Sequence, residues 1–197
     1  MMNTRSAFFY NKFSVLYPLV DMVLKPQKRV LFNLINTLPE GDLLEIGVGN
    51  GSHFKLYTKH RVTGIDTSAA MLKAALKNSR PNIKVMEMDG EALLFADRTF
   101  DYVVLSHVIA VTGNADRLLE EVWRVLKPGG QVYILNHFTP DNWLRHADHL
   151  FKKLSHKLHF KSVFSIDEVI AIKKFKLLKE IGFGPGLYFK LLVYQKK

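Results

Sequence analysis

Leu43-Leu44-Glu45-Ile46-Gly47-Val48-Gly49-Asn50-Gly51-Ser52 is the stretch on which the fold of this 197-residue chain turns. An apolar run of strand length ends in three glycines at alternate positions, and the chain then passes into a helix-like segment at 53–59. Glycine tolerates backbone conformations closed to other residues. A strand–turn–helix built this way lets the main chain approach a ligand and aims free N–H groups at it. A dinucleotide fingerprint would want its third glycine one position later, where this chain has Ser52. Taken alone, the turn still admits a nucleoside-type cofactor, a dinucleotide or no ligand.

Outward from the turn, strand-like and helix-like patterns alternate. Strands are expected at 43–46, 61–65, 83–86, 102–105 and 131–135, and helices at 68–77 and 116–126. The second helix runs into Lys127-Pro128-Gly129-Gly130, a stop and turn signal. This alternation predicts an α/β fold, a parallel sheet covered by helices on both faces, with ligands at the carboxyl ends of the strands. Upstream, 6–24 reads as a helix interrupted near Pro18, followed by a second helix over 27–38. Tyr10, Phe13, Ser14 and Tyr17 would share one face of it, either packed on the core or forming a lid over an acceptor site.

Downstream the pattern changes. A basic helix over 141–159 is followed by a short helix beginning near Ser165. Two strands, 175–181 and 187–195, then flank Gly182-Phe183-Gly184-Pro185-Gly186. This hairpin signal predicts an antiparallel pair that closes a mostly parallel, seven-stranded sheet; a helix over 173–181 is the alternative. The chain reads as one domain over 1–197, with an N-terminal helical lid (1–40), a core (41–138) and a basic helix plus closing hairpin (139–197).

Composition removes several chemistries. The chain has no cysteine, which excludes disulfides, thiolate metal sites and cysteine nucleophiles. The apolar stretch at 15–24 is broken by Pro18 and Asp21, too early for a signal peptide or a spanning helix. A mean hydropathy of +0.01 fits a globular chain. The expected compartment is the cytoplasm, with peripheral attachment to the inner face of the membrane. The net charge of +10 is unevenly spread: 41–140 carries 11 basic and 11 acidic residues, whereas 141–197 carries 12 and 5. The excess therefore lies outside the core and predicts an anionic partner.

Asp66 ends the second expected strand and is placed to accept hydrogen bonds from ribose hydroxyls, or to cap the helix beginning at Ser68. Five motifs now stand in order. They are Leu43 to Gly51, Gly64-Ile65-Asp66-x-Ser68-x-x-Met71-Leu72, Asp89-Gly90-Glu91-Ala92, Phe100-Asp101-Tyr102-Val103-Val104 and Arg124-Val125-Leu126-Lys127-Pro128-Gly129-Gly130. Together they resemble the class I S-adenosylmethionine-dependent methyltransferases over residues 41–138, which implies their Rossmann-like fold and S-adenosylmethionine as cofactor, with S-adenosylhomocysteine as product. The resemblance implies that Glu45, Gly47, Gly49 and Gly51 surround the methionine part of the cofactor. Asp66 would take the ribose, Thr67 and Met71 would lie against the adenine, and Asp89 would receive the adenine amino group with Gly90 and Glu91 beside it. Ser106 and His107 would lie near the reactive methyl. Phe100, Asp101 and Val103 read as strand anchors rather than site residues.

A narrower resemblance rests on Leu135-Asn136-His137-Phe138, on Phe160-x-x-Val163-Phe164-x-x-Asp167-Glu168-Val169, and on the Tyr10 to Tyr17 opening. These are similar to bacterial phosphatidylethanolamine N-methyltransferases, although the tail is richer in lysine and no acidic residue follows Tyr17. Independently, residues 142–159 place Trp143, Leu144, Ala147, Leu150, Phe151, Leu154 and Leu158 on one helical stripe, with Arg145, Lys152, Lys153, Lys157 and four histidines elsewhere. That is the pattern of an interfacial helix, each lysine near an anionic membrane adding about 1 kcal/mol; a helix packed on its own domain is the alternative. The histidines lack acidic companions, so no metal site is expected.

Three functions follow: N-methylation of phosphatidylethanolamine, methylation of another small or lipophilic acceptor such as a quinone precursor, and non-catalytic binding of cofactor or lipid. An amine acceptor must lose a proton, which makes His107 and His137 candidate proton acceptors, with Tyr10 and Tyr17 holding the amine or phosphate. No nucleic-acid motif is present, so nucleic acid is not an expected partner.

Overall fold

The computed structural model describes residues 17–138, 165–184 and 188–197. The expected helix over 141–159, and Tyr10 with most of its face, lie outside the described residues.

Seven strands form one sheet in the order β3-β2-β1-β4-β5-β7-β6. They are β1 (Asp42–Ile46), β2 (Arg61–Asp66), β3 (Ile83–Glu87), β4 (Phe100–Ser106), β5 (Leu126–His137), β6 (Phe175–Phe183) and β7 (Phe189–Lys196). β1 pairs in parallel with β2 and with β4, and parallel pairs also join β2 to β3 and β4 to β5. The last two strands run as an antiparallel pair, with β7 inserted between β5 and β6. The expected mostly parallel sheet with a closing hairpin is therefore present, and 175–183 is strand rather than helix. The strand order reverses between β1 and β4, so a crevice opens there at the carboxyl ends of the strands.

Both faces of the sheet are covered, which is why β1 reads as a nearly unbroken apolar run. On one face Leu44, Ile46, Val103, Leu105, Val132 and Ile134 pack against Leu118, Leu119, Val122 and Val125 of α3 (Ala115–Val125). On the other, Leu43, Val62, Val104, Tyr133 and Leu135 meet Leu31, Phe32 and Ile35 of α1 (Tyr17–Thr37) and Leu72 and Ala75 of α2 (Ala69–Leu76). Ser68 caps α2 by accepting from the Met71 N–H, and Asn114 caps α3 by accepting from the Arg117 N–H.

Four local expectations change. The gap expected between 24 and 27 is absent, since Tyr17–Thr37 is one continuous α1 with Pro26 inside it; the helix expected to precede the Pro18 break lies outside the described residues. Pro18 falls in the first turn of α1, where a missing N–H costs no helical bond. The helix expected at 53–59 is only a 3₁₀ turn, Phe54–Leu56. Phe54 and Tyr57, three apart, both turn inward, and β2 begins too soon afterwards for an α-helix to form. The short helix expected near Ser165 is likewise two 3₁₀ turns, Ile166–Glu168 and Ile170–Lys174. Finally, Lys127-Pro128-Gly129-Gly130 lies within β5, as a register shift between the Phe100–Leu126 and Tyr102–Gln131 pairs.

Arg124 fastens the loop between β3 and β4. Its guanidinium donates to the Leu93 and Phe95 carbonyls, to Asp97, and to both oxygens of Glu121, while Glu121 also accepts from the Leu93 N–H. Arg124→Ala is expected to cost about 2 kcal/mol, a fall in Tm of about 4–8 °C, through loss of charge-assisted bonds. The Arg124 bond holds the Glu121 carboxyl below the ordinary glutamate range. A lowered folded pKa stabilises at neutral pH, and that contribution is lost as pH falls through the lowered value. The Tm gap between wild type and Arg124→Ala should therefore narrow in acid, which thermal melts across pH will test.

Candidate active site

The glycine turn begins where β1 ends. The Gly47 and Val48 N–H groups both donate to the Ile65 carbonyl at 2.8 and 3.1 Å, which ties the turn to the end of β2. Gly47, Gly49 and Gly51 have φ of +78°, +55° and +66°, so the alternate spacing marks three left-handed positions. A Cβ on Gly47 would lie 2.3 Å from Val108 Cγ2, and one on Gly51 would lie 2.6 Å from the Phe54 ring. The turn is thus pressed against the loop following β4 on one side and against the 3₁₀ turn on the other. Most of its N–H groups are spent within the fold: Gly47 and Val48 donate to the Ile65 carbonyl, Gly49 to Asp66, Gly51 to the Val48 carbonyl and Ser52 to Asn50 Oδ1. With only a 3₁₀ turn behind it, the turn offers a ligand close backbone approach rather than the dipole of a long helix.

Asp66 closes the turn from β2. Its Oδ2 accepts from the Gly49 N–H at 2.8 Å and its Oδ1 from the Ser68 N–H at 2.9 Å. The two roles weighed for this region are divided: Ser68 Oγ caps α2, and Asp66 bridges the turn to the helix start. Burial raises the Asp66 pKa above the ordinary aspartate value, against the backbone donors of Ser68, Gly49 and Thr67. A carboxylate with two bonds made keeps lone pairs for hydroxyl donors. Thr67 is exposed beside it and Met71 partly so, on the first turn of α2.

The residues after β3 separate by role. Asp89 is exposed and accepts from the Glu91 N–H. Gly90 is buried, and a Cβ there would meet Ile46 Cγ2 at 2.7 Å. Glu91 Oε1 accepts from Thr112 Oγ1 at 2.6 Å and from the Asn114 N–H at 2.9 Å. Glu91 therefore straps the loop after β3 to the loop after β4. At the amino end of β4, Asp101 accepts from the Asp42 N–H and from Lys127, the anchoring role expected of it.

At the carboxyl end of β4, Ser106 Oγ is buried without a hydrogen-bond partner among the described residues, leaving one open donor and acceptor. His107 has φ of +60°, a conformation uncommon outside glycine, and its N–H donates to the Leu135 carbonyl. Its ring meets Phe189 edge-on at 6.0 Å, Phe189 meets Tyr188 at 5.4 Å, and Tyr188 stacks on His137 at 5.6 Å. The two candidate histidines thus stand at one end of the sheet, joined by a wall of rings from β7 and the residue before it. Tyr188 and Phe189 escaped the sequence reading because only the insertion of β7 beside β5 pairs Phe189 with His137. Tyr17 opens α1, distant in sequence from all of these.

Sequence reasoning also missed His53 and Tyr57. Glu45 is 1% exposed, and its Oε2 accepts from Tyr57 Oη and faces His53 Nε2, each at 2.9 Å. Burial and the Glu45 carboxylate push the Tyr57 phenol well above its ordinary pKa, so it stays a donor. Among the described residues no group of His, Asp or Glu gathers as a metal site. No described helix is long and apolar enough to cross a membrane.

A family model described as a methyltransferase domain matches residues 44–134, the span from β1 to β5 built above. The phosphatidylethanolamine N-methyltransferase of Cereibacter sphaeroides is 34% identical over 165 residues, 80% of this chain and 81% of that protein. The chain belongs to the S-adenosylmethionine-dependent methyltransferases. A demethylmenaquinone methyltransferase of Chlorobaculum tepidum is 31% identical over 168 residues, 77% of this methyltransferase and 69% of its relative. Among solved structures, a methyltransferase of Thermotoga maritima, described as a possible histamine N-methyltransferase, superposes with a TM-score of 0.73 at 22% identity. The match covers 96% of this chain and 99% of that one, and supports the fold. The cofactor is S-adenosylmethionine. The positive-φ turn, the Asp66 carboxylate and the unpartnered Ser106 hydroxyl suit a polar nucleoside with a charged amino-acid arm.

Proposed function

We propose that this methyltransferase N-methylates the amine head group of phosphatidylethanolamine at a membrane surface. The observation that carries the reading is the match to the C. sphaeroides enzyme, 34% identical over 81% of that protein, against 31% over 69% for the C. tepidum enzyme. At 165 residues it extends beyond the 44–134 core. The excess of basic over acidic residues in 141–197 supports the same surface, since it favours an anionic bilayer.

Glu45 and the turn Gly47, Gly49 and Gly51 hold the methionine portion of the cofactor. Asp66 takes the ribose hydroxyls, Thr67 and Met71 border the adenine, and Asp89 meets the adenine amino group. Gly90 and Glu91 set the Asp89 loop, and Ser106 offers its hydroxyl near the transfer point. Bound S-adenosylmethionine supplies an electrophilic methyl group on sulfur. The chain's own task is to align the amine nitrogen, exclude water and accept the proton that an ammonium must lose to become nucleophilic. His107 and His137 take that proton, and Tyr10 and Tyr17 hold the head group.

The similarity to a demethylmenaquinone methyltransferase over 168 residues favours a second reading, a quinone precursor as acceptor. One experiment separates the two. Purified enzyme is given methyl-labelled S-adenosylmethionine with phosphatidylethanolamine vesicles containing anionic lipid, and in parallel with dithionite-reduced demethylmenaquinone in anionic vesicles that lack phosphatidylethanolamine. Label in the phospholipid, reduced at least tenfold in the His107→Ala and His137→Ala double variant, is the expected result. Label in the quinone alone overturns the phospholipid reading, and full turnover by the double variant removes the histidines from the mechanism.

A further inference from the structure

We propose that Tyr57 and His53 are positioning residues for S-adenosylmethionine: by both engaging Glu45 Oε2, they hold its other oxygen, Oε1, toward the cofactor's α-ammonium. The inference rests on the cofactor lying along the glycine turn and goes further, naming what holds the acidic residue before that turn.

Three observations carry it. First, Glu45 is a nearly inaccessible carboxylate on a strand otherwise apolar, one residue before the turn at the carboxyl end of β1. A buried carboxylate is costly unless donors satisfy it. Both donors found here converge on the same oxygen, at 2.9 Å each, while Oε1 accepts no bond among the described residues. Second, the donors suit an ion that must keep its charge. A phenol neutralises nothing, and the imidazole faces the carboxylate with Nε2 as its donor, because a carboxylate is acceptor-only. An arginine or lysine in either place would compete with an incoming ammonium for the same negative charge.

Third, the two rings are themselves fixed. His53 stacks on Phe32 of α1, with centroids 5.3 Å apart and planes at 24°, and Tyr57 meets the same Phe32 edge-on at 4.9 Å. His53 is only 10% exposed. The 3₁₀ turn that replaces the expected helix brings this about. It reverses the chain tightly after Gly51, so that a residue before the turn proper and one just after it both reach back to β1.

The test compares two nucleosides that differ by the amino-acid arm. Isothermal titration of the full chain is made with S-adenosylhomocysteine, which carries the α-ammonium, and with 5′-methylthioadenosine, which lacks it. Tyr57→Phe and His53→Ala are each expected to weaken S-adenosylhomocysteine about tenfold, the worth of one hydrogen bond to a charged group. Neither should change the affinity for 5′-methylthioadenosine, which serves as the internal measure of an intact fold. His53→Gln, which keeps an N–H donor, should recover most of the loss. Equal weakening of both nucleosides means a structural role and overturns the proposal, as does undiminished S-adenosylhomocysteine binding in both variants. Failure of the wild type to bind either nucleoside would instead remove the cofactor from the turn, and the proposal with it.

Discussion

Asp66→Ala is expected to weaken S-adenosylmethionine binding by about a hundredfold. The side chain has two duties, and alanine ends both. It anchors the Gly49 N–H at 2.8 Å, which sets the shape of the turn, and it is the acceptor proposed for the ribose hydroxyls. Losing charge-assisted bonds of that kind costs about 3 kcal/mol in affinity. Titration with S-adenosylhomocysteine measures it directly. Ser68→Ala is the control, since it removes the cap of α2 but no proposed cofactor contact. It should lower Tm with affinity retained. Affinity undiminished in Asp66→Ala would falsify the ribose assignment. Burial raises the pKa of this carboxyl, and a protonated carboxyl is a poorer acceptor. Cofactor affinity should accordingly begin to fall in acid at a pH above the ordinary aspartate range.

Gly47→Ala is expected to be the most damaging single methyl group that can be added to the core of the site. At φ of +78° an alanine is strained by about 1–2 kcal/mol, and its Cβ would sit 2.3 Å from Val108 Cγ2. With the displacement of the loop after β4 included, the cost reaches about 3 kcal/mol, or about 6–12 °C in Tm. Cofactor affinity should drop with it, because the turn and the loop shift together. Val108→Ala in the same chain removes the offending methyl and should restore part of the Tm while leaving the backbone strain in place. A double variant no more stable than Gly47→Ala would show that the clash is not the cause.

The parts of this structure that are decided within one short segment were legible in the sequence. β1 and the middle of β4 are apolar runs because both faces of the sheet are covered there, and β2 and β3 are short β-branched stretches bounded by turn residues. Gly47, Gly49 and Gly51 stand apart because each takes a positive φ. Asp66 is visible because a strand end followed by Ser68 is a local pattern. What stayed hidden depends on distances between segments. The residues at 53–59 fit an α-helical pattern as well as a 3₁₀ turn, and only the early start of β2 decides between them. Pro26 lies inside a continuous α1 because packing of its apolar face on the sheet, not local sequence, sets where the helix runs. The Glu45–Tyr57–His53 arrangement joins β1 to the turn that follows it, and the Tyr188–Phe189 wall needs β7 to enter beside β5.

The insertion of β7 has a consequence for how this molecule comes into being. The strand that completes the ring wall is the last described strand to leave the ribosome, yet it occupies an interior place between β5 and β6. A nascent chain can therefore assemble the glycine turn, and the parallel strands around it, before the ring wall exists. The wall is completed only when the β6–β7 hairpin pairs with β5 and brings Phe189 opposite His137.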